Sequence, residues 1–224
     1  MPGSRRLPLG TLAVVLTFGT GAVDVISFTR LGEVFSSVMT GNLVLLGLAV
    51  ARVSAPLAVH TALAFAGYIA GAAVGSRITG PPRPRGRVWP PRVTAVLVVE
   101  AAVIAAFTGG WVVTDAHPDG AWQLALLGLA SLGMGLQSAA MRGLGGRTKV
   151  STTYLTGMLT GVVAGLVAPG RSEFDVRATT ILAAAAAGAA AGGGLLLVAP
   201  RLVPVLPLAA LAVVIAAAAL HRAE

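Results

Sequence analysis

The sequence contains no cysteine, which excludes disulfides, thiolate metal ligands and thiol nucleophiles. Charge is scarce too: 11% of the 224 residues are Asp, Glu, Lys or Arg, against about 25% in a soluble domain. That is too little to cover a water-facing surface. Lys149 is the only lysine among 16 basic residues. His60, His117 and His221 are scattered, with no HExxH, no metal-ligand spacing and no Ser–His pairing. The glycine runs at 143–146 and 192–194 lead into no Walker lysine motif or dinucleotide-binding pattern. The chain is expected not to be an enzyme and to hold no metal or cofactor.

What the chain has is apolar length. Hydrophobic residues make up 56%, and the mean hydropathy is +0.86. Long apolar runs recur, which marks membrane spans. The net charge of +8 does not indicate nucleic acid, because the arginines lie in short loops beside those runs. The first run follows Arg5 and Arg6 and continues to Asp24 without a small-x-small cleavage site, so it reads as a retained span.

The spacing predicts spans at 9–28, 57–78, 93–113, 121–141 and 176–199, and a last one ending near Leu220. Two further segments, 34–51 and 151–168, begin polar and end apolar and are marginal for crossing, since roughly 20 apolar residues are needed. Gly67, Gly71 and Gly75 form a small-xxx-small ridge suited to tight helix packing, and Gly188 and Gly192 supply a similar face. The Pro- and Arg-rich stretch 79–92 is the clearest boundary.

An ordered set of matches suggests an internal repeat. GTGAVD at 19–24 parallels GMGLQS at 133–138, and MTGNLV at 39–44 parallels LTGMLT at 155–160. GYIAG at 67–71 parallels GAAAG at 188–192, and AVIAA at 102–106 parallels VVIAA at 213–217. The two repeats are assigned to 1–114 and 115–224. If all eight segments cross with 79–92 inside, ten basic residues lie inside and six outside. If 34–51 and 151–168 enter and leave on one face, the split is thirteen to three, which the positive-inside rule favours. The expected fold is therefore an all-α polytopic membrane bundle. It has six spans plus two short re-entrant or broken segments (the alternative being eight helices), in two pseudo-symmetric halves. Three spans per half make the halves inverted, a recurring transporter plan.

Asp24 is the sharpest candidate for chemistry, because a charge within a span is costly unless paired, wet or neutralised. It reads as a proton carrier or substrate contact, with a hydrogen bond to a nearby Ser or Thr as the plainer role. Ser27 shares its helical face. Ser36, Ser37, Thr40, Gly41 and Asn42 follow, with Thr40-Gly41-Asn42 read as an unwound joint able to expose backbone groups. Thr156-Gly157 repeats that joint, and Ser138 stands where Asp24 would recur. Glu100 is read as paired with an Arg or protonated, and Gln137 as facing Asp24. Ser151, Thr152 and Thr153 read as helix caps, and Arg30 with Glu33 as a loop ion pair.

The stretch DVISFTRLGEVFSSVMTGNLVLLGLAVAR resembles the YoaK-like family of bacterial inner-membrane proteins, a family of unknown function. The resemblance rests on Asp24, Phe28, Leu31-Gly32, Thr40-Gly41-Asn42 and Gly47, and is extended by GYIAG and the second LTG. It implies an integral membrane protein of about six helices, without an assigned substrate. The function expected is transport of a small solute or ion in the inner membrane, coupled to protons through Asp24. A non-transporting scaffold or accessory subunit is the alternative, its glycine ridges docking a partner. Expected partners are the bilayer and an unnamed solute or ion, with a homo-oligomer left open. The N-terminus and 79–92 are expected on the cytoplasmic side.

Overall fold

A computed structural model describes residues 9–81, 89–144, 155–167 and 176–220. They form eight α-helices: α1 (Leu9–Arg30), α2 (Met39–Ala51), α3 (Ala55–Thr79), α4 (Pro91–Val113), α5 (Gly120–Gly143), α6 (Leu155–Val167), α7 (Val176–Val198) and α8 (Val205–Leu220). Among the described residues there is no strand. Six segments are long and apolar enough to cross a membrane, the last being the 3₁₀ turn Pro200–Leu202 together with α8. α2 and α6 have 13 residues each. At about 1.5 Å per residue they fall short of a hydrocarbon core about 30 Å thick. The expected six spans and two short segments are present.

Local chemistry sets the boundaries. Pro56 and Pro91 sit in the first turns of α3 and α4, where a missing N–H costs nothing. Gly80, at φ 66°, ends α3 by donating its N–H to Ser76 O at 2.9 Å, a left-handed position that suits glycine. Asp115 and Ala116 adopt positive φ after α4, and the Ala116 N–H returns to Trp111 O.

α1 and α5 are the most buried of the long helices, and α3 and α7 the least. α1 lies parallel to α7: Gly10 meets Arg177, Gly21 meets Ala185 and Ala189, and Gly192 meets Ala22 and Val25. α3 lies parallel to α5 in the same manner. Gly67 meets Gly128 and Ser131, Gly71 meets Leu132 and Leu136, and Gly75 meets Ala139. The contacts are backbone on backbone. A methyl on Gly71 would overlap the Leu132 carbonyl oxygen, and one on Gly188 the Phe18 carbonyl oxygen. Lipid tails are as apolar as side chains, so such close van der Waals approach, rather than escape from water, holds helices together. The ridges expected to dock an outside partner are thus filled from within, by α5 and α1. α4 packs on α5, and α8 on α1 and α4; α2 lies on α3, and α6 on α7.

One face of the bundle holds the C-terminal ends of α1, α4 and α7 and the N-terminal ends of α3, α5 and α8. Polar ties mark it. His60 Nε2 meets Gln123 Oε1 at 3.1 Å, Gln123 Nε2 donates to Arg30 O at 3.0 Å, and Trp111 Nε1 donates to Pro200 O at 2.8 Å. Arg201 pairs with Asp115 there. Since α1 ends and α3 begins on this face, α2 enters and leaves without crossing. Arg30, Arg52 and Arg201 lie on this face, and Arg77, Arg92, Arg142 and Arg177 lie at the opposite one.

Candidate functional site

The polar residues of the first half form a clip at the end of α1. Asp24 Oδ1 accepts from Ser36 N at 3.0 Å, Ser36 Oγ at 2.9 Å and Ser37 N at 2.9 Å, while Oδ2 accepts from Ser37 Oγ at 2.5 Å. All four donors come from two consecutive residues. Loop 31–38 therefore folds back along α1 instead of leaving it. Asn42, from α2, holds the same loop: its Oδ1 accepts from Phe35 N at 2.9 Å and its Nδ2 donates to Phe35 O at 2.6 Å. The Phe35, Ser36 and Ser37 amides are thereby satisfied inside an apolar setting, as buried amides must be. Leu31 and Val34 are fully buried, and the Phe35 ring stacks on Phe28 at 5.1 Å. The plainer expectation for Asp24, hydrogen bonding to neighbouring serines, is the arrangement present.

Several expectations need correcting. Thr40-Gly41-Asn42 is not an unwound joint; it forms the first turn of a continuous α2. Thr40 is exposed and Gly41 lies against the Phe35 ring, so of the three only Asn42 reaches the clip. Thr156-Gly157 likewise opens α6, with Thr156 exposed and no atom within 4 Å of where a Gly157 side chain would begin. α2 and α6 flank α3 and α7 at opposite ends of the bundle, so the two TG turns do not face each other. The reason is local: a Thr or Ser before an apolar run starts a helix as readily as it breaks one. Arg30 and Glu33 form no ion pair, whereas Arg201 and Asp115 do. Glu33 takes φ 58° and points to the surface, while the Arg30 carbonyl is taken by Gln123. The proposed caps Ser151, Thr152 and Thr153 lie outside the described residues.

A second polar group lies nearer the middle of the bundle. Gln137 does not face Asp24; its Oε1 lies 2.6 Å from Thr20 Oγ1, one turn earlier on α1. The same hydroxyl also lies 3.1 Å from Leu16 O. One hydroxyl proton serves one acceptor at a time. Thr20 therefore donates either to Gln137 Oε1 or to Leu16 O, and the two acceptors compete for it. Ser138 accepts from Tyr68 OH at 2.9 Å, tying α5 to α3. Ser27 is buried with its hydroxyl unpartnered and takes no part in the clip.

Glu100 is fully buried, and neither carboxyl oxygen has a hydrogen-bond partner. It stands near the middle of α4. Gly143 lies against Val93, Gly133 against Ile104 and Gly110 against Leu126. This antiparallel register sets Glu100 level with Leu136 and Gln137. The expected arginine partner is absent among the described residues. Thr17 and Thr20, both buried, were not singled out by the sequence, where a threonine in an apolar helix usually bonds back one turn, as both also do.

Residues 12–219 match the family described as "Protein of unknown function (DUF1275)". The chain is 33% identical over 172 residues to the UPF0700 transmembrane protein YoaK of Bacillus subtilis (strain 168), covering 77% of this chain and 72% of that protein. No solved structure matches.

Proposed function

We infer that this chain, which belongs to the DUF1275 family of YoaK-like transmembrane proteins, carries a small solute or ion across the membrane. The observation that carries this reading is the crossing of α1 and α5. They run in opposite directions, touch through Thr20 and Gln137, and each packs backbone to backbone on a helix from the other half of the chain. That pattern supports a duplication in which α1, α2, α3 and α4 answer α5, α6, α7 and α8, with repeats over 1–114 and 115–224. α1 packs on α7 and α8, and α5 on α3 and α4. Gly21 meets the Ala185 carbonyl and Ala189 N–H as Gly135 meets the Tyr68 carbonyl and Ala72 N–H. In this register Gly71 answers Gly188 and Gly75 answers Gly192, one turn away from the match that set Gly67 against Gly188. A glycine every four residues aligns with itself at each step, so the sequence alone leaves that register open.

Two inverted halves meeting at a polar crossing can rock against each other and open alternately to either side. The test needs no substrate. Since the chain has no cysteine, Thr20→Cys gives a single thiol at the crossing. In proteoliposomes of known orientation it is expected to react with a membrane-impermeant maleimide from both faces. A thiol silent from both sides would reject alternating access.

The scaffold reading keeps one support: Gly157 and Gly161 on α6 have no atom within 4 Å of where a side chain would begin, leaving room for another membrane helix, from a partner or a second copy. A stoichiometric partner in mild detergent together with a silent Thr20→Cys would favour it.

Charge supports an orientation in an inner membrane: the face of Arg77, Arg92, Arg142 and Arg177, with the N-terminus and 79–92, is read as the cytoplasmic one by the positive-inside rule. In intact spheroplasts Asp119→Cys is expected to label from outside and Pro81→Cys only after permeabilisation. The reverse pattern would invert the bundle.

A further inference from the structure

We propose that Glu100, buried near the middle of α4, is a proton-binding site of the bundle. This deepens the transport reading, on which its use in coupling rests; the site itself stands on geometry.

Glu100 is the one carboxyl among the described residues that is buried with no hydrogen-bond partner on either oxygen. A carboxylate with no partner in such a place costs several kcal/mol, and the group escapes that cost by taking up a proton or a cation. A metal cation would need a cage of several oxygens, and the neighbours do not supply one. On its own helix the buried residues about one turn to either side are Val96, Leu97 and Ile104, and the α5 register sets it level with Leu136 and Gln137.

No charge compensates it. α8 carries no titratable residue. On α5 the only one is Arg142, exposed near the helix end, and on α3 Arg77 is exposed as well. Tyr68 is bonded to Ser138, and His60 to Pro56 and Gln123. On α4 itself Arg92 lies at the first turn, more than two turns away.

The proton would thus sit near the middle of α4, and its loss would leave a charge that the closed bundle does not stabilise. Water has to reach the group before the proton departs. That links proton exchange to an opening of the bundle beside α4. Asp24, saturated by four donors, keeps a positioning role for loop 31–38, and the proton-carrying role expected of it passes to Glu100.

The experiment treats the purified full chain in liposomes with dicyclohexylcarbodiimide, a membrane-soluble reagent that adds to carboxylic acids, and maps the adduct by peptide mass. One adduct, on Glu100, is expected; Glu100→Asp should keep it and Glu100→Gln abolish it. In parallel, infrared difference spectra between low and high pH should show a carboxylic-acid band that is retained in Asp24→Asn and absent in Glu100→Gln. An adduct or band that maps to Asp24, or none at Glu100, overturns the proposal. The mapped adduct needs no variant to fold, so it decides alone if Glu100→Gln is not recovered. The two readings fail separately. A Glu100 band with a silent Thr20→Cys leaves the site without transport, whereas a reactive Thr20→Cys with no Glu100 band leaves transport without this site.

Discussion

Gly188→Leu is expected to yield almost no folded protein, and Gly71→Leu the same. In each case the first carbon of the new side chain would overlap a backbone carbonyl oxygen, Phe18 O for Gly188 and Leu132 O for Gly71. Ordinary overpacking costs about 1–3 kcal/mol because side chains can move aside. Here the obstacle is the main chain of a neighbouring helix, so relief requires parting α1 from α7 or α5 from α3. Those contacts bind the early helices to the late ones, and no hydrophobic drive replaces them within lipid. Gly47→Leu and Gly194→Leu are the controls, since nothing lies within 4 Å of either site. The monodisperse fraction in gel filtration measures the effect. Equal recovery of all four variants would show that backbone contact is not what holds the bundle.

Asp24→Ala is expected to loosen loop 31–38 far more than Asp24→Asn. Alanine leaves the buried Ser36 and Ser37 N–H groups without an acceptor. At about 1–3 kcal/mol for each unsatisfied buried group, the loss is about 2–6 kcal/mol. Asparagine keeps an oxygen for the three donors at Oδ1, and its amide can donate to Ser37 Oγ, which also accepts. Folded Asp24→Asn alongside an unstable Asp24→Ala, compared by thermal unfolding in detergent, is the expected order. Identical midpoints for the two variants would mean that the carboxylate does not anchor the loop.

The helices were legible because each apolar run ends at a Pro, Gly or Arg cluster, and their ends move by only a few residues. The short segments were legible by length and by the arginines around them. The polar contacts were less so. Asp24 stood out as a charge in an apolar run, and Ser36 and Ser37 as polar neighbours, but their bonding depends on a loop that doubles back, which no helical period encodes. Thr40-Gly41-Asn42 misled because the same residues can open a helix or break one. Gln137 was noticed but its partner was not, since threonine in a helix looks self-satisfied. Glu100 was noticed for its charge; its isolation is a property of what surrounds it in space.

The parallel packing of α1 on α7 and of α3 on α5 also bears on how the protein is made. α1 is made well before α7, so the groove that receives Gly188 stays vacant until α7 leaves the ribosome. Until then the Asp24 clip ties α1 to the loop that follows it. Completion of the packing is a late event that joins α1 to a helix made much later. A nascent chain halted before α7 would present that vacant groove to lipid, an address by which membrane quality control can tell an unfinished molecule from a finished one.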